Sequence, residues 1–177
     1  WTKLITTKDD VNFEALRRLS NSWLRKNYYH LGREYQYRDI NPKILAEPLL
    51  TPSDGSELMD YKFFCFNGEP RFVQVDINRH TNHARNFYDL SWNRLPFRIL
   101  YPSHSGVPQP SGFKKMIDIA SLLAKGFPFV RIDLYNLDGQ IYFGEITFHP
   151  GGGFEPIVPD EWDKKLGNML KLPLAQE

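Results

Sequence analysis

One turn signal, Asp138-Gly139, constrains the fold of this chain more than any other feature of its sequence. Asp-Gly pairs favour the tight turns that join neighbouring antiparallel strands. The runs on either side, residues 129–135 and 140–147, are rich in β-branched and aromatic side chains. We therefore predict a β-hairpin here, and a second one from residues 61–66 and 71–77 around Asn67-Gly68.

Apolar residues recur with helical spacing in three stretches outside these hairpins. This spacing predicts helices over residues 11–29, 112–125 and about 159–170. Residues 2–7 alternate like a strand, whereas residues 78–111 show no clear period and read as a long functional loop. Antiparallel hairpins with helices inserted between them indicate an α+β fold rather than a parallel doubly wound sheet.

Composition excludes several classes of protein. The chain has 177 residues, 41% of them hydrophobic, and no apolar run approaches the roughly 18 residues that a membrane span needs. With a formal net charge of +1, nothing in the overall balance calls for nucleic acid or an anionic membrane. We expect a soluble, cytoplasmic protein in which the single cysteine, Cys65, is packed and inert. Because the first residue is Trp1 and no signal-like stretch follows, we also expect a fragment.

Three oxygen-bearing side chains lie on the C-terminal hairpin. Glu145 and Thr147 are two positions apart, so on a strand they point to the same face. With the turn at Asp138-Gly139, Asp133 lies roughly opposite Glu145, within reach across the two strands. The two carboxylates are therefore expected to converge.

Two interpretations of this convergence are open. In the first, Mg²⁺ binds the two carboxylates, because it prefers hard oxygen ligands and commonly binds carboxylates together with phosphates. In the second, Asp133 pairs with Arg131 or another base, and Glu145 pairs with Lys or Arg from the neighbouring hairpin. The glycine-rich loop at 149–153 favours the first interpretation, since its exposed backbone can approach phosphates closely.

The C-terminal hairpin resembles a known motif. The segment from Arg131 to Gly151 is similar to the closing metal-binding hairpin of ATP-grasp enzymes, in which an aspartate precedes a Glu-x-Asn motif and a small loop follows. More specifically, nearly the whole chain resembles the TupA-like ATP-grasp family of bacterial cell-surface polysaccharide and teichuronopeptide biosynthesis. The motifs that carry this likeness are Asp60-Tyr-Lys-Phe-Phe-Cys-Phe-Asn-Gly, Asn86-Phe-Tyr-Asp, Trp92-Asn and Phe143-Gly-Glu-Ile-Thr-Phe.

The resemblance implies an antiparallel ATP-grasp sheet with packed helices, and it assigns roles to individual residues. Residues 1–50 would be the remainder of the first lobe and its linker, and residues 51–177 the C-terminal lobe. The metal ligands would be Asp133, Glu145 and Thr147, and the residues that hold the acyl phosphate or acceptor would be Arg131 and His149. The nucleotide contacts would be Glu47, Pro48, Leu49 and Leu50 at the adenine, Asp60 near the ribose or phosphates, and Lys62 and Arg79 at the phosphates.

This chain departs from the general ATP-grasp pattern in two ways. Thr147 stands where these enzymes usually carry asparagine, which weakens one expected metal ligand. The family's phosphate-gripping lysine and glycine-rich loop should precede Trp1, so the fragment alone is expected to lack part of the catalytic unit.

The resemblance also implies a reaction. With ATP and Mg²⁺ as cofactors, a carboxylate would be phosphorylated to an acyl phosphate and then attacked by an amine, both substrates being glycan- or peptide-linked. The aromatic and basic stretch from Arg79 to Tyr101 is a candidate acceptor surface. Three alternatives stay open at this point: a kinase with a hydroxyl acceptor, a metal-dependent glycosyltransferase and a non-catalytic binding module.

Overall fold

The computed structural model describes residues 1–9, 11–79 and 81–172. The chain divides into two compact units, Trp1–Leu50 and Thr51–Glu177. Within the described ranges, no helix has the length and the apolar character needed to cross a membrane.

The regular elements of the first unit are helical. Helix α1, Phe13–Leu24, begins after Asn12, whose Oδ1 accepts a hydrogen bond from the Ala15 backbone N–H at 2.9 Å. Such a side-chain cap satisfies one of the free amides at a helix start. A short helix α2, Tyr29–Gly32, and a 3-10 turn, Tyr35–Tyr37, follow. The strand predicted at residues 2–7 is wrong, because these residues pair with no strand in the described part of the chain.

The second unit is built on one five-stranded antiparallel sheet. Its strands are β1 (Asp60–Phe66), β2 (Glu69–Ile77), β3 (Ala84–Asp89), β5 (Phe129–Leu137) and β6 (Gln140–Thr147), in the spatial order β3-β2-β1-β5-β6. Both predicted hairpins, β1-β2 and β5-β6, are present. The two residues of each turn have positive φ angles, 53° and 82° at Asn67-Gly68 and 51° and 86° at Asp138-Gly139, which is why Asn, Asp and Gly occupy them.

Helix α3, Phe113–Ala124, covers one face of this sheet, close to where helical spacing predicts it. The helix presents Phe113, Met116 and Ala120 to strand residues such as Phe63 and Ile132. Cys65 is fully buried in this core, and burial raises the pKa of its thiol to about 12. The expectation of a packed, inert cysteine is confirmed.

An aromatic cluster covers part of the opposite face. The β1 side chains Phe64 and Phe66 pack there, together with a two-stranded ribbon and a final helix. The ribbon consists of β4 (Arg98–Ile99) and β7 (Ile157–Val158), and the helix is α4 (Asp160–Gly167). The remaining buried members of the cluster are Phe72, Phe87, Phe97, Ile99, Trp162 and Leu166.

The segment at 78–111 differs from its predicted long loop. It contains strands β3 and β4, and its aromatic side chains Phe87, Tyr88 and Phe97 are buried. The Trp92 indole N–H donates to the Val107 carbonyl at 3.0 Å, and the Trp92 ring stacks on Tyr88. These aromatics build the core, so they do not form the acceptor surface suggested by the sequence.

Candidate functional site

The charged residues of the sheet share one face and one end. Asp60 and Lys62 alternate with Tyr61 on β1, so they point away from the α3 side, as Phe64 and Phe66 do further along the strand. In register with Lys62 lie Gln74 on β2 and Asp133 on β5. The aromatic cluster thus fills one end of this face, and ionisable side chains fill the other.

Arg131, on β5, lies at the centre of the part of this charged face that β5 and β6 form. Its Nη2 atom lies 2.7 Å from Asp133 Oδ2, 2.9 Å from Glu145 Oε1 and 3.1 Å from Thr147 Oγ1. Its Nε donates to Asp133 Oδ1 at 2.7 Å, so the guanidinium binds Asp133 in a bidentate manner. We call the three oxygen atoms around Nη2, from Asp133, Glu145 and Thr147, the oxygen cage.

Strand pairing explains why these three oxygens converge. Asp133 lies directly opposite Glu145, and Arg131 opposite Thr147. Glu145 pairs with Asp133 whereas Phe143 pairs with Leu134, so Gly144 is the extra residue of a β-bulge. The bulge sits immediately beside the cage.

Gly144 is the position at which a small substitution should disturb this arrangement. A Cβ at this residue would lie 3.0 Å from the Asp133 backbone oxygen and 3.1 Å from the Tyr135 ring. We expect Gly144→Ala to lower the free energy of unfolding by about 1–3 kcal/mol, because β6 must move away from β5. Urea unfolding curves measure this change.

Gly167→Ala is the matched control for this prediction. A Cβ at Gly167, the last residue of α4, would meet no atom within 4 Å. Equal stability of the two alanine variants would show that the close approach at the bulge does not constrain the hairpin.

Lys62 links the cage to a second buried carboxylate. Its Nζ lies 2.6 Å from Asp133 Oδ2 and 2.6 Å from Asp60 Oδ2, and its side chain is only 8% exposed. Arg79, which is about half exposed, donates to the same Asp60 oxygen at 2.8 Å. The other oxygen of Asp60, Oδ1, is buried without a hydrogen-bond partner in the described part of the chain.

Burial acts on the pKa of two members of this cluster, Asp60 and Arg131. It raises the pKa of Asp60 above its ordinary value, although the neighbouring Lys62 charge opposes the shift. For Arg131, burial alone would lower the pKa, but the hydrogen bonds and charge of Asp133 outweigh it and raise the pKa above its usual range. Arg131 therefore stays protonated beside the carboxylates.

The sequence did not point to a further ionic cluster on β2 and β3. Buried Asp76, opposite Asp60, accepts hydrogen bonds from Arg85 Nε at 2.8 Å and from Gln74 Nε2 at 3.1 Å, and lies 3.1 Å from His83 Nε2. Its pKa is lowered, because Arg85 and His83 outweigh the effect of burial. Arg85 also lies 3.6 Å from Glu155, which follows the 3-10 turn Pro150–Gly153.

The predicted β1-β2 hairpin could have indicated the position of Asp76, since the Asn67-Gly68 turn places Asp76 near Asp60. Arg85 could not be found in this way, because its strand was predicted as a loop.

The oxygen atoms of the cage are of the types that bind a hard cation. They are two carboxylate oxygens and one hydroxyl oxygen, the ligand types that Mg²⁺ prefers. No group of three or more His, Cys, Asp or Glu side chains suited to a metal occurs among the described residues. A metal here would therefore have to complete its octahedron with water or phosphate oxygens, which is common for Mg²⁺.

The remaining predicted site residues are His149, in the second unit, and residues 47–50, in the first unit. His149 is exposed just before the turn Pro150–Gly153, and its side chain makes no hydrogen bond in the described part of the chain. Glu47, Pro48 and Leu49 help to line a cleft of about 680 Å³ within the first unit, and Leu50 adjoins them, half buried. That volume lies within the range of roughly 300–1,000 Å³ typical of small-molecule sites.

Comparison with known proteins identifies the family. A family model described as TupA-like ATPgrasp matches residues 3–171. Neither the curated proteins nor the solved structures gave a match. The family match covers nearly the whole chain and indicates an ATP-dependent enzyme of the ligase type, in a family that generally uses ATP and Mg²⁺. The chain belongs to the TupA-like ATP-grasp family.

Proposed function

We propose that this protein is an ATP-dependent carboxylate-amine ligase of bacterial cell-surface polysaccharide biosynthesis, of the capsule or teichuronopeptide type, that works through an acyl phosphate. The observation that supports this most strongly is the convergence of oxygen atoms from Asp133, Glu145 and Thr147 around Arg131 Nη2, with Lys62 Nζ 2.6 Å from Asp133. A phosphoryl-transfer site needs oxygen ligands for a metal and cations for phosphate charge within a few ångströms of each other.

The charge balance of the cluster supports a phosphate-binding role. Asp60, Asp133 and Glu145 offset Lys62, Arg79 and Arg131, so three carboxylates face three cationic side chains. A metal ion held by the cage would supply positive charge to the phosphates during transfer. A nucleotide that enters together with its metal would bring less net negative charge to this balanced cluster than the nucleotide alone.

Individual residues have distinct roles in this proposal. Arg79 is the most accessible cation of the cluster, so its exposed guanidinium can donate to phosphate oxygens. Lys62 neutralises Asp60 and Asp133 and fixes their positions, and a shift of its Nζ toward the nucleotide would add a phosphate contact. Arg131 would orient the transferred phosphoryl group and the acyl phosphate through its planar fork of donors.

Other roles carried over from the family remain predictions. In the proposal, Thr147 is a metal ligand, Asp60 contacts the ribose or phosphates, and His149 with the following glycine turn holds the acceptor. Residues 1–50 would be the end of one ATP-grasp lobe with its linker, and residues 51–177 the C-terminal lobe. Within the first unit, the adenine contacts would be Glu47, Pro48, Leu49 and Leu50.

A coupled assay of ADP formation tests the proposal. The protein, with any native flanking residues included, is incubated with Mg²⁺ and ATP against panels of glycan- and peptide-linked acids and amines. Ligation predicts ADP formation that requires both an acid and an amine, together with an amide product detected by mass spectrometry. Hydroxylamine should replace the amine and trap the acyl phosphate as a hydroxamate.

Other outcomes of the same assay contradict ligation. ADP formation with a hydroxyl acceptor alone would identify a kinase, and sugar transfer without ATP would identify a glycosyltransferase. Failure to bind Mg²⁺-ATP at all would exclude every ATP-dependent function.

A further inference from the structure

We propose that Arg131 is a surrogate cation, which occupies the oxygen cage when no metal is bound and leaves it when the metal enters. This inference rests on the proposed Mg²⁺-ATP site and adds a competition between an internal guanidinium and the metal. The carboxylates of the cage would then always have a cation beside them, either the guanidinium or the metal ion. Metal affinity would depend on how easily Arg131 moves out.

The geometry around Nη2 carries the proposal. One nitrogen atom lies within 3.1 Å of an oxygen from each of the three predicted ligands. A guanidinium that merely paired with Asp133 would need only the bidentate contacts at 2.7 Å. The additional contacts with Glu145 and Thr147 place Nη2 at the centre of the cage, so a metal ion and this nitrogen exclude each other.

Local charge explains why a surrogate is needed. Asp133 is almost fully buried, and an uncompensated buried carboxylate close to a second carboxylate is costly. Lys62 already neutralises Asp60 as well as Asp133, and among the described residues its ion pairs are with these two carboxylates. Without a metal, Arg131 is therefore the group that holds Asp133 and Glu145 together.

A metal ion can reach the cage from solvent through Glu145. The side chain of Glu145 is 62% exposed, whereas that of Arg131 is 12% exposed. An ion can first meet Glu145 at the surface and then displace Nη2. The freed donors of Arg131 would then be available to phosphate oxygens, which couples metal binding to the phosphate-orienting role proposed above.

Titration with Mn²⁺ alone tests this competition. Free Mn²⁺ is measured by electron paramagnetic resonance in nucleotide-free protein, for the wild type, Arg131→Gln and Arg79→Gln. Arg131→Gln should bind Mn²⁺ at least about tenfold more tightly than wild type, because the competitor for the cage has been removed. Arg79→Gln removes the same charge from the same cluster but not from the cage, so its affinity should change by less than about threefold.

Melting temperatures and a second variant keep the test decisive if Arg131→Gln is less stable than wild type. Arg131→Gln should melt below wild type in EDTA, and Mn²⁺ should raise its melting temperature more than that of wild type. Arg131→Lys keeps the charge but cannot form the planar fork, so it should fold and still bind Mn²⁺ more tightly than wild type.

Two results separate this inference from the proposed function. If neither Arg131 variant binds Mn²⁺ more tightly than Arg79→Gln while wild type binds Mg²⁺-ATP, the surrogate role is wrong and the nucleotide site stands. If wild type does not bind Mg²⁺-ATP, the proposed function itself fails.

Discussion

Asp133→Asn should reduce ADP formation by about 10³-fold or more, with little change in the size of the side chain. The substitution removes one charge from the oxygen cage and replaces an oxygen that accepts from both Lys62 and Arg131. An amide cannot accept on both of its terminal atoms, so an NH₂ group faces either Arg131 Nε or both Lys62 Nζ and Arg131 Nη2. Initial rates of the coupled assay, at saturating Mg²⁺ and ATP, measure the loss.

The matched control for this prediction is Asp118→Asn. Asp118 is exposed on α3, where it pairs with Lys114 four residues earlier. That exchange should leave the rate within about twofold of wild type, since exposed pairs of this kind contribute little. Activity of Asp133→Asn close to that of Asp118→Asn would show that catalysis does not use the C-terminal hairpin.

Lys62→Met should lower the free energy of unfolding by about 3–5 kcal/mol, the largest effect on stability that we expect from one substitution in the sheet. The variant keeps a long side chain but leaves Asp60 and Asp133 without the cation that lies 2.6 Å from each. In the part of the chain that the structure describes, Oδ1 of Asp60 has no hydrogen-bond partner, so this carboxylate depends on the cations at Oδ2. Urea unfolding at pH 7 measures the loss.

The loss should also depend on pH. In the folded protein, burial raises the pKa of Asp60, and removing Lys62 raises it further, because the Lys62 charge opposes that shift. Between the unfolded-state pKa of about 3.9 and the raised folded value, the folded variant binds a proton that the unfolded chain does not. Stability from this group therefore falls as pH rises through that window. The difference between variant and wild type should be smaller at pH 5 than at pH 7.

Lys114→Met is the corresponding control, since it removes an exposed lysine that pairs with Asp118. Its effect should stay below about 1 kcal/mol and show no such pH dependence. A Lys62→Met effect equally small at pH 7 would mean that the two buried carboxylates do not depend on Lys62.

The hairpins could be predicted because their signals are local. Asp138-Gly139 and Asn67-Gly68 combine residues that accept positive φ angles with β-rich flanks, and both turns form where expected. The turn sets the register of β5 and β6 as far as the pair Leu134 and Phe143, and the one-residue bulge then places Glu145 opposite Asp133. From the turn alone, the two carboxylates were expected to lie roughly opposite each other. The sequence also offered Arg131 as one possible partner of Asp133.

Features that depend on distant parts of the chain were not predictable in the same way. The pairing of β3 with β2 places Arg85 on Asp76, and nothing local marks residues 84–89 as a strand rather than a loop. The bulge at Gly144 is equally invisible in the sequence, although it sets the position of Glu145 beside Asp133. One nitrogen of Arg131 lies within 3.1 Å of an oxygen from each predicted metal ligand. These contacts depend on the register that the bulge sets.

The most direct test of a magnesium-nucleotide site is a calorimetric titration of the protein with a non-hydrolysable ATP analogue and Mg²⁺. We expect binding at one site per chain, at least about tenfold weaker in EDTA, because the cage must hold a metal that also binds phosphate oxygens. Asp133→Asn should lose this dependence on the metal, and Asp118→Asn should retain it. Binding that is equally strong with and without Mg²⁺, or absent altogether, would contradict a magnesium-nucleotide site at Asp133, Glu145 and Thr147.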